Sequence, residues 1–157
     1  MAEVSDGLAT LAAPPSTEVA RHTVRRFFEL VLRGDYPALE PLIDENAWFN
    51  GGPGGGRQRA RSFWQARLTR IDYGSVSLPA LYRETDVETY RAEDLAALRP
   101  ARSLGTSVTG NDVLVRVPIT APRVGRTRVF GDEVVFVLRP VGTEFVVTEL
   151  VEDFQFQ

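Results

Sequence analysis

The chain has 157 residues and a formal net charge of −3, with 18 basic and 21 acidic residues scattered along it. This length is typical of one domain with one core, and the near balance of charge gives no sign of a nucleic-acid or membrane partner. The sequence contains no cysteine, no lysine and a single histidine, His22. These absences exclude a thiol nucleophile, a disulfide framework, a thiolate zinc site and a Schiff-base lysine. We therefore predict no metal and no cofactor.

The N-terminal segment contains an apolar run from Leu8 to Ala13. Acidic residues precede this run, whereas a secretory signal carries a positive charge there. No window of the sequence reaches the roughly 18 to 20 apolar residues that a membrane helix needs. We predict a disordered lead-in over residues 1–15, a folded domain over residues 16–157 and a cytoplasmic location.

Helices dominate the first half of the predicted domain. Ser16 is a natural N-cap for a first helix that ends at Gly34, and Asp35 can cap a short second helix through Leu39. A brief strand over residues 47–50 and a glycine-rich loop over residues 51–56 precede a third helix. The apolar face of this third helix is predicted to contain Ala60, Phe63, Trp64, Ala66, Leu68 and Ile71. The opposite face is predicted to contain Arg57, Arg59, Arg61, Arg67 and Arg70.

Strands are predicted for the second half. In the middle of the chain, the predicted elements are strands at Ser75–Tyr82 and Val87–Arg91, a helical segment at Ala92–Leu98 and a loop at Pro100–Thr109. From Asn111 onward the apolar residues recur with a period of two, which predicts strands at Asp112–Thr120, Thr127–Leu138 and Glu144–Phe156. Their short connections predict an antiparallel meander. The fold class is therefore α+β, with N-terminal helices packed on an antiparallel sheet.

The closing strands are apolar on both faces. In the middle strand, Val135 and Val137 point to one face while Val134, Phe136 and Leu138 point to the other. Both faces of such a sheet are expected to be covered, and the helices can cover only one. We predict a homodimer that packs through the remaining sheet face. The alternative is that the lead-in or the middle segment covers that face within the same chain.

The order of elements resembles the nuclear transport factor 2-like (SnoaL-like, cystatin-like) superfamily. The opening FFELVLRGDYPALEPLIDENAWF, residues 27–49, is similar to the long helix, Gly-Asp turn, short helix and strand entry of that superfamily. An arginine-bearing helix, GRQRARSFWQARL at residues 56–68, and long antiparallel strands follow as in its members. The resemblance covers most of residues 17–156.

The resemblance implies a curved sheet that wraps the helices into a cone-shaped half-barrel with an apolar pocket. Members of the superfamily include isomerases, dehydratases, epoxide hydrolases and polyketide cyclases, together with partner proteins that have no catalytic activity. Such a pocket would be lined by aromatic residues, for which the candidates are Trp48, Phe49, Phe28, Trp64, Tyr82 and Phe136.

Three charged residues on the closing strands are the candidates for chemistry. Glu149 is predicted to share a strand face with Phe145, Val147 and Val151, where a carboxylate among apolar groups could act as a general acid or base. Asp132 and Arg116 could assist it. The structural alternative for Glu149 is an ion pair with Arg116 or Arg128 on a neighbouring strand.

The leading functional hypothesis is a dimeric pocket protein that binds a small, largely apolar ligand, or serves as a partner module, without catalysis. The alternative is a small cofactor-independent lyase, isomerase or hydrolase that uses Glu149 with Asp132 or Arg116. Whether the protein is an enzyme is left open by the sequence, because no set of residues matches a known catalytic layout of the superfamily.

Overall fold

The computed structural model describes residues 15–49, 56–94 and 108–153, with the backbone alone at residues 48, 49, 56 and 153. The helices are α1 (Thr17–Arg33), α2 (Tyr36–Leu39), α3 (Gly56–Arg70) and α4 (Leu78–Leu81). The strands are β1 (Ile43–Phe49), β2 (Glu88–Arg91), β3 (Val113–Pro118), β4 (Arg123–Val124), β5 (Thr127–Arg128), β6 (Glu133–Val141) and β7 (Glu144–Asp153).

Local sequence signals account for both ends of α1. The Ser16 side chain accepts a hydrogen bond from the Val19 N–H, and Glu18 lies in the first turn, where its charge complements the helix dipole. At the other end Gly34 adopts φ 67°, a left-handed conformation that glycine takes without steric cost. The helix buries one face, which consists of Ala20, Thr23, Val24, Phe27, Phe28, Leu30 and Val31.

The main sheet has the strand order β1-β7-β6-β3-β2 and is open, with β1 and β2 at its edges. Strand β1 runs parallel to β7, and the other neighbours are antiparallel. The strands β4 and β5 form a separate small hairpin in the connection between β3 and β6. The predicted α+β class, with helices preceding a mostly antiparallel curved sheet, is confirmed.

Two predicted elements are wrong. Ser75–Tyr82 is no strand: a 3₁₀ turn at Tyr73–Ser75 leads into α4, where Pro79 occupies an early helical position. Proline is suited to the start of a helix and lacks the N–H that a strand would need. The predicted strand Thr127–Leu138 is divided, because Thr127–Arg128 belongs to the hairpin and β6 begins at Glu133.

The prediction of a strand over Val87–Arg91 is confirmed as β2, and the three predicted helices correspond to α1, α2 and α3. The lead-in before residue 15, most of the predicted helix Ala92–Leu98, most of the predicted loop Pro100–Thr109 and the glycine-rich loop up to residue 55 lie outside the described residues.

The two faces of the sheet are both buried, as the strand pattern predicts. On the helix side Val134, Phe136 and Leu138 join the core that α1 and α3 cover. On the opposite side, which we call the outer face, Val135 and Val137 are 9% and 1% exposed in the single chain. These two outer-face valines are therefore shielded without a second copy of the protein.

Candidate functional site

A buried polar cluster lies on the helix side of the sheet. It consists of Arg67 of α3, Tyr73 of the 3₁₀ turn after α3, and Glu152 of β7. The Arg67 guanidinium donates to both carboxylate oxygens of Glu152, with Nη2 at 2.8 Å from Oε2. Its Nε donates to the Tyr73 hydroxyl at 2.7 Å. Arg67 Nη2 and the Tyr73 hydroxyl both donate to the carbonyl oxygen of Val129, each at 2.7 Å. The Gly131 N–H donates to Glu152 Oε2 at 3.0 Å, so the cluster is densely hydrogen-bonded.

The electrostatics of this cluster favour its charged form. Burial alone would lower the pKa of Arg67, but the hydrogen bonds and negative charge of Glu152 outweigh burial and raise this pKa. Burial raises the pKa of the Tyr73 hydroxyl, and the neighbouring Arg67 charge opposes the rise. Arg67 thus stays a cation and Tyr73 a neutral donor at physiological pH.

Aromatic rings surround the cation. The guanidinium carbon of Arg67 lies 5.0 Å from the ring centroids of Trp64 and Phe130 and 5.7 Å from that of Phe63. A cation over aromatic faces is stabilised by the ring quadrupoles, and more strongly when water is excluded. The rings therefore help to offset the desolvation of Arg67.

The prediction that Arg67 lies opposite the apolar face of α3 is wrong, since this residue is buried along with Ala60, Trp64 and Ile71. Its spacing could have revealed the error. Positions 60, 64, 67 and 71 follow one another at intervals of four, three and four, which is the repeat of a single helix face. Glu152 has the matching signal, because it alternates with Leu150 on the helix side of β7.

Glu149 is fully buried, but on the outer face. A bulge at Thr148 shifts the register between β6 and β7, so that Leu138 pairs with Val147 while Val137 pairs with Glu149. The prediction that Glu149 shares a face with Phe145 and Val147 is therefore wrong, because one extra residue turns the strand over. Its predicted position beside Val151 is retained, since Val151 pairs with the outer-face Val135.

The predicted partners of Glu149 have other contacts. Arg116 of β3 binds Glu133 through Nε at 2.9 Å and Nη2 at 2.8 Å, and Glu88 through Nη1 at 3.2 Å. Asp132 lies 3.5 Å from Arg128 in the connection before β6. Arg116 and Glu149 lie two strands apart in the sheet, a separation of about 10 Å between backbones. The structure does not bring Glu149, Asp132 and Arg116 together.

Four of the six predicted pocket-lining rings, those of Phe28, Trp64, Tyr82 and Phe136, lie in the core on the helix side. The Phe28 ring centroid lies 5.1 Å from that of Tyr82 and 5.5 Å from that of Phe136. Trp64 joins this group through Phe27, whose ring lies 5.5 Å from Trp64 and 5.3 Å from Phe136. Trp48 and Phe49 lie on the edge strand β1, where their backbones pair with Glu149 and Leu150, and their side chains are outside the described set.

A polar groove of about 560 Å³ lies between the N-terminal half of α1 and the start of β2. Arg21 and Arg25 line it, and both form ion pairs with Glu84. Because the carboxylates of Glu18 and Glu84 line the groove together with these two arginines, the groove offers no strong site for an anion.

In residues 15–49, 56–94 and 108–153 no group of three or more histidine, cysteine, aspartate or glutamate side chains is placed to hold a metal ion. No helix there is long and apolar enough to cross a bilayer.

Among solved structures, the chain is similar to a variant of the designed protein Rd1NTF2_05, with a TM-score of 0.52 and 15% identity. The similarity covers 87% of this chain and 97% of the designed one. The chain has the nuclear transport factor 2-like fold. At this identity the likeness shows the fold alone. No family model matches the sequence, and no curated protein matches it.

The aromatic rings beside the Arg67 cluster belong to the core on the helix side of the sheet. This helix-side region is where the resemblance implied a pocket. Glu149, on the outer face, lies on the opposite side of the sheet from it.

Proposed function

We propose that this protein binds a small, largely apolar molecule without transforming it. The observation that supports this proposal is that the charged groups beside the helix-side rings are already hydrogen-bonded within the protein. Both oxygens of Glu152 already accept hydrogen bonds from Arg67, and Gly131 donates to one of them. A general base must instead reach a proton of the substrate, so this carboxylate is suited to a structural role.

The dispersal of the predicted catalytic residues supports the same proposal. Glu149 lies on the outer face, whereas Arg116 is engaged by two other carboxylates. The alternative enzyme requires Glu149 to act on a ligand together with Asp132 or Arg116. Arg116 shares the outer face with Glu149 but lies two strands away, and Asp132 lies in the connection before β6.

Small-molecule screening tests the proposal. Two-dimensional NMR of the wild-type protein with a panel of small aromatic and alicyclic compounds should give saturable shifts for some of them. The bound compounds should be recovered unchanged by mass spectrometry after long incubation. Consumption of a compound by the wild type and by Glu144→Gln, but not by Glu149→Gln, would instead establish the enzyme. Glu144→Gln is the matched control, because Glu144 lies exposed on the same strand.

A protein-binding module is the second candidate, and the ring contacts favour it. Phe28, Tyr82 and Phe136 pack against one another in the position where a ligand pocket would lie. If the interior serves only as a core, none of the panel compounds should shift the amides of Tyr73, Phe130 or Gly131. That result would favour the module over the ligand-binding protein.

We propose in addition that two copies associate through the outer face. Val146 and Val151 are half-buried there and would be covered further by a partner. Sedimentation velocity at micromolar concentration should give a species of twice the 17.4 kDa chain mass, and Val146→Arg should reduce it to the monomer. Val124→Arg, on the exposed hairpin, is the control that should leave the dimer intact. A wild-type protein that sediments as a monomer would contradict the association.

A further inference from the structure

Backbone hydrogen bonds join the two ends of the connection between β3 and β6, residues 119–132. The Ile119 N–H donates to the Asp132 carbonyl at 2.9 Å, and the Val129 N–H donates to the Pro122 carbonyl at 2.8 Å. Both bonds enclose the hairpin β4–β5, which forms the tip of the segment. We call this segment the neck loop. Such internally bonded loops with adjacent ends can move as units, and they are often functional.

Few described hydrogen bonds tie the neck loop to the rest of the fold. The Thr120 and Ala121 N–H groups both donate to the Leu81 carbonyl, at 2.7 and 3.4 Å, and the Gly131 N–H donates to Glu152. Arg67 and Tyr73 also donate to the Val129 carbonyl. When these bonds open, the Arg67–Glu152 pair keeps both of its own hydrogen bonds, because it joins α3 to β7 and does not involve the loop.

The neck loop contributes the side chains of Ile119, Val129 and Phe130 to the core, and one carbonyl to the Arg67 cluster. The Phe130 ring is 1% exposed, and its centroid lies 5.3 Å from that of Phe28 and 5.4 Å from that of Tyr73. Beside this ring the Val129 oxygen receives two hydrogen bonds of 2.7 Å, from Arg67 Nη2 and the Tyr73 hydroxyl. Two buried donors thus converge on one acceptor, next to a ring that packs between other aromatic rings.

We propose that residues Val129 and Phe130 occupy a binding site for a neutral aryl-alkyl carbonyl compound, which enters when the neck loop lifts. This inference rests on the proposed ligand-binding function and names the ligand class. The ring of the ligand takes the place of Phe130, and its carbonyl oxygen accepts from Arg67 and Tyr73. When the loop lifts, the Val129 carbonyl leaves Arg67 and Tyr73. Without the ligand's oxygen these two donors would be unsatisfied, which is costly.

The charge state of the site selects a neutral ligand. Glu152 already neutralises Arg67, so a ligand carboxylate would add a second buried anion beside Glu152 without a cation to balance it. A ligand amine would place a donor against two donors. A ketone, ester or amide carbonyl matches the site, and a simple aryl hydrocarbon lacks the acceptor.

The test uses N-(2-phenylethyl)acetamide, which reproduces the covalent path from the Val129 carbonyl to the Phe130 ring. Titration calorimetry and NMR should show one site on the wild-type protein. Ethylbenzene and 3-phenylpropionate should each bind at least about tenfold more weakly, the effect of losing one charge-assisted hydrogen bond or of burying an unpaired charge. Equal binding of all three compounds would overturn the proposal.

Variants separate this site from other apolar surfaces. Phe130→Ala removes the internal competitor and should tighten binding by about tenfold or more, since the open form becomes more populated. Tyr73→Phe removes one donor and should weaken binding by about three- to tenfold. Val124→Ala, on the exposed tip of the same loop, should leave binding unchanged. An unchanged affinity in Tyr73→Phe would contradict the site.

Hydrogen exchange in the wild-type protein keeps the proposal testable if Phe130→Ala does not fold. The amides of Thr120, Ala121 and Gly131, which bond outside the loop, should exchange through an opening with weak denaturant dependence, while those of β6 exchange only on global unfolding. Exchange of both sets with the same free energy would show that the loop does not lift separately. If other panel compounds bind but the acetamide does not, this inference fails while the proposed function stands.

Discussion

Replacing Arg67 by methionine is expected to lower the free energy of unfolding by about 3–5 kcal/mol, the range for breaking a buried ion pair from one side. Methionine fills much of the same space, but it removes both hydrogen bonds that the guanidinium donates to the Glu152 carboxylate. It also leaves Tyr73 and the Val129 carbonyl with one bond fewer each. Urea denaturation followed by tryptophan fluorescence measures the loss, which is a large share of the 5–15 kcal/mol typical of a domain.

Arg61→Met is the matched control for this prediction. Arg61 lies on the same helix and forms an equally well-shaped pair with Glu40, with hydrogen bonds of 2.9 Å from Nε and Nη2. The Arg61 side chain is 48% exposed, so water replaces the lost contacts and the cost should be much smaller. Similar losses in Arg67→Met and Arg61→Met would show that burial does not set the strength of the Arg67 pair.

The double variant Arg67→Met/Glu152→Met separates the net contribution of the pair from the cost of leaving one charge alone. Removing both charges should recover most of the stability lost in the single variant, because two apolar side chains no longer need a counter-ion. A double variant that is less stable than Arg67→Met would show that the ion pair contributes net stability. It would also show that the hydrogen bond from the Gly131 N–H to Glu152 contributes to stability when Arg67 is absent.

The ends of α1 and the general order of elements were predictable because the signals are local. Ser16, Glu18 and Gly34 act within a few residues, and the chain conforms to them. The alternation of apolar residues from Val134 to Leu138 likewise predicted a strand that is buried on both faces, and this is confirmed. Local propensity and the final fold agree in these segments.

The candidate site was harder to predict because its residues are joined only by tertiary structure. Arg67 and Glu152 lie 85 positions apart, and a charged residue on a helix is usually solvated unless a distant partner meets it. The bulge at Thr148 determines which face of the sheet Glu149 lies on, and no short-range sequence pattern indicates this bulge. An apolar run at Val146 and Val147 fits either register equally well, so the strand could not be oriented from its own residues.

Phe136→Ala is expected to lower the free energy of unfolding by about 3–5 kcal/mol, the range for removing a large buried aromatic side chain. Phe136 is fully buried and its ring packs edge-on against Phe27 and Phe28, so the surrounding rings cannot fill the space without moving. Val141→Ala, on the exposed end of the same strand, should change stability by no more than about 0.5 kcal/mol. Urea denaturation of the two variants makes the comparison.

Benzene distinguishes the two roles of the Phe136 ring. If Phe136 is a core residue, its removal leaves a dry apolar cavity, and saturating benzene should raise the stability of Phe136→Ala but not that of the wild type. If Phe136 instead lines a pocket that is already open, the wild type should respond to benzene as well, and the alanine variant should lose less than about 1 kcal/mol, the centre of ordinary point mutations. The ring contacts with Phe27 and Phe28 predict the first outcome, because rings that touch on both sides of Phe136 have no open space between them for a ligand.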